Sequence, residues 1–132
     1  MVLSPNRIDT PIATVERTAA GMVEVYFKAG STLSVGGITA LLDAREQMAG
    51  QGPTLVLIVF PPTEMDFDMA MITRDHYRGR PVQEHSKAIA WVTRNEHNDR
   101  FTRLYFAYFP SPVPAAIFAE VEEARAWLAQ QG

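Results

Sequence analysis

Three carboxylates, Glu64, Asp66 and Asp68, alternate with large apolar residues in the stretch Phe60-Pro61-Pro62-Thr63-Glu64-Met65-Asp66-Phe67-Asp68. Alternating oxygen donors can hold a hard cation, but the glycine and closing glutamate of an EF-hand loop are absent. The same residues can instead receive a basic partner, cap a following helix or, through Thr63, accept a phosphate carrying about -1.5 to -2 charge. Thr63, Glu64, Asp66 and Asp68 are therefore the candidate partner loop. His76, His85 and His97 lack HExxH spacing, and no cysteine is present to complete a zinc site. The missing cysteines also exclude disulfides, thiol nucleophiles and thiol redox chemistry. No GxSxG elbow supports a serine hydrolase. These patterns lead to an expectation of no catalytic residue, no metal centre and no cofactor.

A second group of residues is apolar. Leu104-Tyr105-Phe106-Ala107-Tyr108-Phe109 puts five large residues into six positions, more than one stripe of a helix can hold. Phe101, Leu104, Tyr105 and Tyr108 are expected to pack on a sheet, leaving Phe106 and Phe109 to find another cover. That cover is the final helix or proline segment, a subunit interface, or a lipid-like ligand. Met65, Met69 and Met71 add adaptable apolar surface, although methionines at such steps commonly belong to a core. Met65, Met69, Tyr105, Phe106 and Phe109 form the candidate interface or ligand face.

The elements that must position these groups follow from hydrophobic period. With 132 residues the chain matches one domain, able to bury roughly two-thirds of its unfolded surface. Ala13 to Thr18 and Met22 to Lys28 read as strands joined by a tight antiparallel connection, after a mobile segment 1–12. Ser34 is placed to cap a helix running to about Ala49, with Val35, Ile38, Leu41, Leu42, Arg45 and Met48 recurring at three- and four-residue steps. Gly36-Gly37 in its first turn reads either as an anion nest or as a tolerated helix start. Thr54 to Phe60 lacks alternation and is rich in branched aliphatics, as expected of a central strand covered on both faces. Pro61-Pro62 ends it, and Met65, Met69, Ile72 and His76 then trace a helix capped by Asp66 or Asp68. Lys87 to Thr93 is a strand, Asn95 precedes the aromatic helix, Ala115 to Phe118 is a short strand, and Val121, Ala124, Trp127 and Leu128 face inward from a final helix. Alternation of strand and helix from Thr54 onward predicts a mostly parallel sheet.

This order, with particular residues, resembles the STAS-like group of small bacterial proteins, fold relatives of the sporulation anti-sigma-factor antagonists, and in particular a STAS/SEC14-like subgroup. The resemblance rests on Lys87-Ala88-Ile89-Ala90-Trp91-Val92, on Phe101 to Phe109 ending in Pro110, on Pro112 and Pro114, and on Ile117-Phe118 followed by Glu122-Glu123-Ala124 and Trp127-Leu128. It extends loosely back to Met22 and Ser34. It implies an α/β fold: a single-domain mixed sheet with an N-terminal antiparallel hairpin, then βαβαβα, and about four helices. Phosphorylatable relatives carry an Asp-Ser-Ser/Thr-Gly-like motif after the central strand. Here Thr63 is the sole hydroxyl residue of that loop, so the usual phosphoacceptor serine is missing.

The function expected is a non-catalytic, cytoplasmic regulatory or protein-interaction module. A carrier of a small apolar, lipid-like ligand is the alternative, and a small enzyme of unknown reaction the third. Its partners would be a protein, a second copy in a homodimer, or an apolar ligand. Nucleic acid is not expected, because the net charge is -3 and the +3 excess between Arg74 and Arg103 is scattered. Neither a secretory leader nor a membrane span is expected, since the longest apolar run, Leu55 to Phe60, is far below the roughly 18 residues a span requires.

Overall fold

Val23, Val25 and Phe27 alternate with Glu24 and Tyr26, so a strand here must present two different faces. In the computed structural model, which describes residues 6–50 and 52–132, this is β3 (Val23–Phe27). It pairs antiparallel with β2 (Ala13–Arg17) and parallel with β5 (Thr54–Val59). β5 in turn pairs parallel with β7 (Ser86–Val92), and β7 with the edge strand β8 (Ala115–Phe118). The opposite edge is β1 (Arg7–Asp9), antiparallel to β2. The sheet order is β1-β2-β3-β5-β7-β8, with a separate parallel pair of β4 (Thr32–Leu33) and β6 (Asp66–Phe67). The segment expected to be mobile thus contributes a strand, while residues 1–5 lie outside the described residues.

β5 is interior and covered on both faces, as its composition predicts. Val56 and Ile58 enter one core cluster with Val25, Phe27 and Ile89, whereas Leu57 and Val59 enter a second with Ala88, Ala90 and Val92. Each fully buried aliphatic of this kind contributes roughly 1.5–3 kcal/mol, so the two-sided run is the main anchor of the fold.

Helix α1 (Val35–Ala49) begins where Ser34 Oγ accepts from the Gly37 amide, and its inner face joins the first cluster. Gly37 is set by packing: a Cβ there would lie 2.9 Å from Ile12 Cγ2, whereas one at Gly36 would meet nothing. At its other end Arg17 Nη1 donates to the carbonyls of Met48 and Ala49, placing a cation at the negative end of the helix dipole. Helix α4 (Val121–Gln131) covers the other face, packing on β5, β7 and β8 through Ala124 and Leu128.

The helix expected from Met65 to His76 does not form. Its place is taken by β6, a single 3-10 turn (Met69–Ile72) and irregular chain, followed by the one-turn helix α2 (Val82–His85). Asp68 stands before the 3-10 turn but its side chain caps nothing. The competing partners come from helix α3 (Glu96–Tyr108). The Met65 amide donates to Asn98 Oδ1 at 2.9 Å and His97 Nε2 donates to the Met65 carbonyl at 2.8 Å, so this backbone is tied to α3 and the carbonyl a helix would use is already engaged.

Candidate functional site

Between the first sheet face and its covering helices lies a cavity of about 50 Å³. From α1 come Ile38, Leu41, Leu42 and Arg45; from the sheet and its strand ends come Phe27, Phe60 and Trp91. Leu33 and Met71 add aliphatic wall, and α3 contributes Phe101, Thr102, Tyr105 and Phe106. His76 and Tyr77, in the irregular chain before α2, complete it. Trp91 and Phe106 meet edge to face at 5.4 Å and also border an open groove of about 300 Å³ beside Pro110, Val113 and Ile117.

The polar groups of this wall are almost all engaged. Thr102 Oγ1 donates to the Asn98 carbonyl at 2.8 Å. Tyr105 Oη accepts from the His76 amide at 2.8 Å and reaches Asp75 Oδ1 at 3.4 Å, and burial raises the phenol above its ordinary range. His76 Nε2 donates to the Met71 carbonyl at 2.9 Å, while burial holds the imidazole below its usual value of 6.5.

Arg45 is one exception. It is 5% exposed, donates from Nη1 to Tyr77 Oη at 3.0 Å and from Nη2 to Ser86 Oγ at 3.1 Å, and has its guanidinium 5.7 Å from the Tyr77 ring centroid. It forms no ion pair among the described residues, and residues 1–5 and 51 include no Asp or Glu. Its Nε has no hydrogen-bond partner, and neither has Nε1 of Trp91 across the same wall. Glu46, the next residue on α1, is engaged by Arg80 at 3.0 Å.

The sequence-expected site residues divide between two places. Thr63, Glu64, Asp66 and Asp68 lie exposed along the loop after β5. They do not converge: Asp66 is in β6, Glu64 approaches His97 Nδ1 at 4.0 Å, and no metal-holding cluster of acids and histidines occurs among the described residues. Asn98 pins this loop, donating from Nδ2 to the Thr63 carbonyl at 3.1 Å. Met65 is 1% exposed core, and Met69 is 73% exposed. Tyr105 and Phe106 line the cavity, and Phe109 is half-buried against Tyr105 at 5.4 Å. Leu104 and Tyr108, expected inward, face outward, and Phe106, expected outward, faces inward, whereas Phe101 and Tyr105 face inward as expected. The inward stripe begins with Asn98 and Thr102, both buried and hydrogen-bonded, and this rotates Phe106 toward Trp91. Arg45 escaped notice, although an arginine at a core position of an amphipathic stripe was its visible signal.

A SpoIIAA-like family model matches residues 24–129. The chain belongs to the SpoIIAA-like family. Among solved structures it is similar to an uncharacterised protein of the DUF3478 family with a SpoIIAA-like fold, from Shewanella loihica PV-4. The TM-score is 0.55 at 19% identity, over 88% of this chain and 91% of that one. Comparison with curated proteins finds no match. The SpoIIAA-like assignment agrees with the mixed sheet, its antiparallel N-terminal strands and the four α-helices found among the described residues. No helix among the described residues is long and apolar enough to cross a membrane.

Proposed function

We propose that the chain acts as one cytoplasmic, non-catalytic binding module whose regulatory ligand is small and apolar. The observation that carries this reading is the cavity itself, walled by aromatic and aliphatic side chains from α1, α3 and the sheet. Well-packed interiors leave few voids larger than a water, and apolar voids of sufficient size take up apolar guests. A volume of about 50 Å³ exceeds the roughly 10–15 Å³ one water needs, but falls short of the roughly 150 Å³ cavity that accepts benzene. The guest, or the part of it held here, is therefore a few heavy atoms in size. Xenon under pressure tests this directly: resonances of Ile38, Leu41 and Phe106 should shift saturably, and an unperturbed wall would reject the cavity as a ligand site.

A second reading, a protein-contact surface, is favoured by Leu104 and Tyr108. These two are exposed by 42% and 63% and lie one turn apart on the outer side of α3. Replacing both by Glu should leave a folded monomer in size exclusion. If the unmodified protein runs at the same volume, this surface does not join copies of the chain.

A further inference from the structure

The walls of the cavity specify more than an apolar guest. We infer that it takes a small monocarboxylate, with the anionic head at Arg45 and a short apolar tail among the aromatic side chains; this rests on the cavity being a ligand site.

Hydrogen-bonding capacity in the wall supplies the first argument. Among the fully buried side-chain nitrogens of the wall, those without a partner are the Arg45 Nε–H and the Trp91 Nε1–H. Both are donors sealed from water as the wall stands, so a guest that reaches either must bring acceptors.

Charge supplies the second. Arg45 is buried as deeply as a core leucine, yet its compensation comes from two neutral hydroxyl oxygens and one aromatic ring. A buried charge is ordinarily paired, and the other well-bonded arginines of this fold obey that rule or cap carbonyls: Arg125 holds Glu24, Arg80 holds Asp43 and Glu46, and Arg17 caps α1. The guanidinium fork matches a carboxylate in geometry as well as sign.

Size and apolarity supply the third. A multiply charged anion would leave excess charge against Leu41, Leu42 and Phe60, whereas a monocarboxylate puts one charge at one cation and presents only methylenes to the remainder. Acetate and propionate are of the scale that fits as the wall stands, whereas butyrate, with as many heavy atoms as benzene, must already reach beyond it. Longer chains extend past Phe106 toward the adjoining groove.

The test titrates purified protein with propionate, butyrate and hexanoate, with alcohols of the same chain lengths, and with chloride as an anion lacking a tail. Carboxylates should bind at least about tenfold tighter than the matching alcohols, the scale of a charge-assisted hydrogen bond. Chloride should not displace butyrate at equal concentration. The Arg45 Nε–H resonance should move on butyrate binding in unmodified protein, which needs no variant. Arg45→Met should bring carboxylate and alcohol affinities together while xenon still enters, and Arg45→Lys should keep part of the preference. Equal affinity for carboxylate and alcohol, displacement by chloride, or an unmoved Arg45 resonance would each overturn the inference. Xenon uptake without carboxylate preference would remove this inference alone, whereas absence of xenon uptake would remove the underlying reading of the cavity.

Discussion

The two faces of the sheet treat buried charge in opposite ways. Under α4, Glu24 is 7% exposed and receives Arg125 Nη1 at 2.8 Å, Arg125 Nη2 at 3.3 Å and Tyr26 Oη at 2.5 Å. Burial would raise its carboxyl, but these bonds outweigh it and hold the group below its ordinary value; burial and the neighbouring Glu24 push the Tyr26 phenol up to about 12. Under α1 and α3, Arg45 is buried just as deeply with no carboxylate at all. The first arrangement fastens a helix to a sheet. The second leaves a buried cation without a counter-charge beside a void, the arrangement on which the proposed ligand site rests.

The largest consequence falls on the satisfied face. Arg125→Met strands Glu24 in the interior, a change that costs about 3–5 kcal/mol for a fully buried pair. Because Arg125 is 43% exposed and Tyr26 still donates, about 2–3 kcal/mol is expected here. Chemical denaturation measures it, and adding Glu24→Gln should restore most of the loss. An additive double variant would mean the pair is not coupled.

Asn98 gives an effect of about 2 kcal/mol, since Asn98→Ala leaves the buried Met65 amide unpartnered and frees the Thr63 and Thr93 carbonyls. Amide exchange at Met65 should accelerate in step with that loss. If Met65 stays protected, the loop is held by something other than α3.

Arg45→Met sharpens the contrast most directly. Removing one member of a pair strands its partner, but removing an unpaired cation strands nothing charged. Tyr77 and Ser86 lose a donor while the interior loses an uncompensated charge, so the net change should stay within about 1 kcal/mol in either direction. A loss as large as that of Arg125→Met would show that Arg45 is a structural strut.

These two faces were unequally legible in the sequence. Strand alternation at Val23–Phe27, the branched run Thr54–Val59 and the caps Ser34 and Asn95 are local signals, and each element formed where it was read. The chain from Met65 to His76 was misread as a helix because its fate is decided by Asn98 and His97, more than thirty residues away. In the aromatic helix Phe101 and Tyr105 face inward as expected, but Leu104 and Tyr108 exchange places with Phe106 because hydrophobic periodicity scores Asn98 and Thr102 as outward residues, whereas both are buried through hydrogen bonds. The cavity draws on α1, the sheet and α3 together, so no window of sequence contains it.

Acid should distinguish the faces with the smallest effect. His76 has its folded value depressed by burial, with Arg74 adding to the depression and Asp75 and the Met71 carbonyl opposing it. The neutral form is therefore the one the fold favours. Its contribution is complete above the unfolded value near 6.5 and is lost as pH falls through the folded value. Glu24 is also depressed, so its contribution is complete above about 4.5, the ordinary value, and is lost only at lower pH. Melting temperature should accordingly decline in two limbs, the first setting in as pH falls below about 6.5 and the second below about 4.5. His76→Gln should flatten the first limb and Glu24→Gln the second. A single limb removed by Glu24→Gln alone would mean that the cavity side takes no part in the acid response, and that the imidazole titrates alike in folded and unfolded chains.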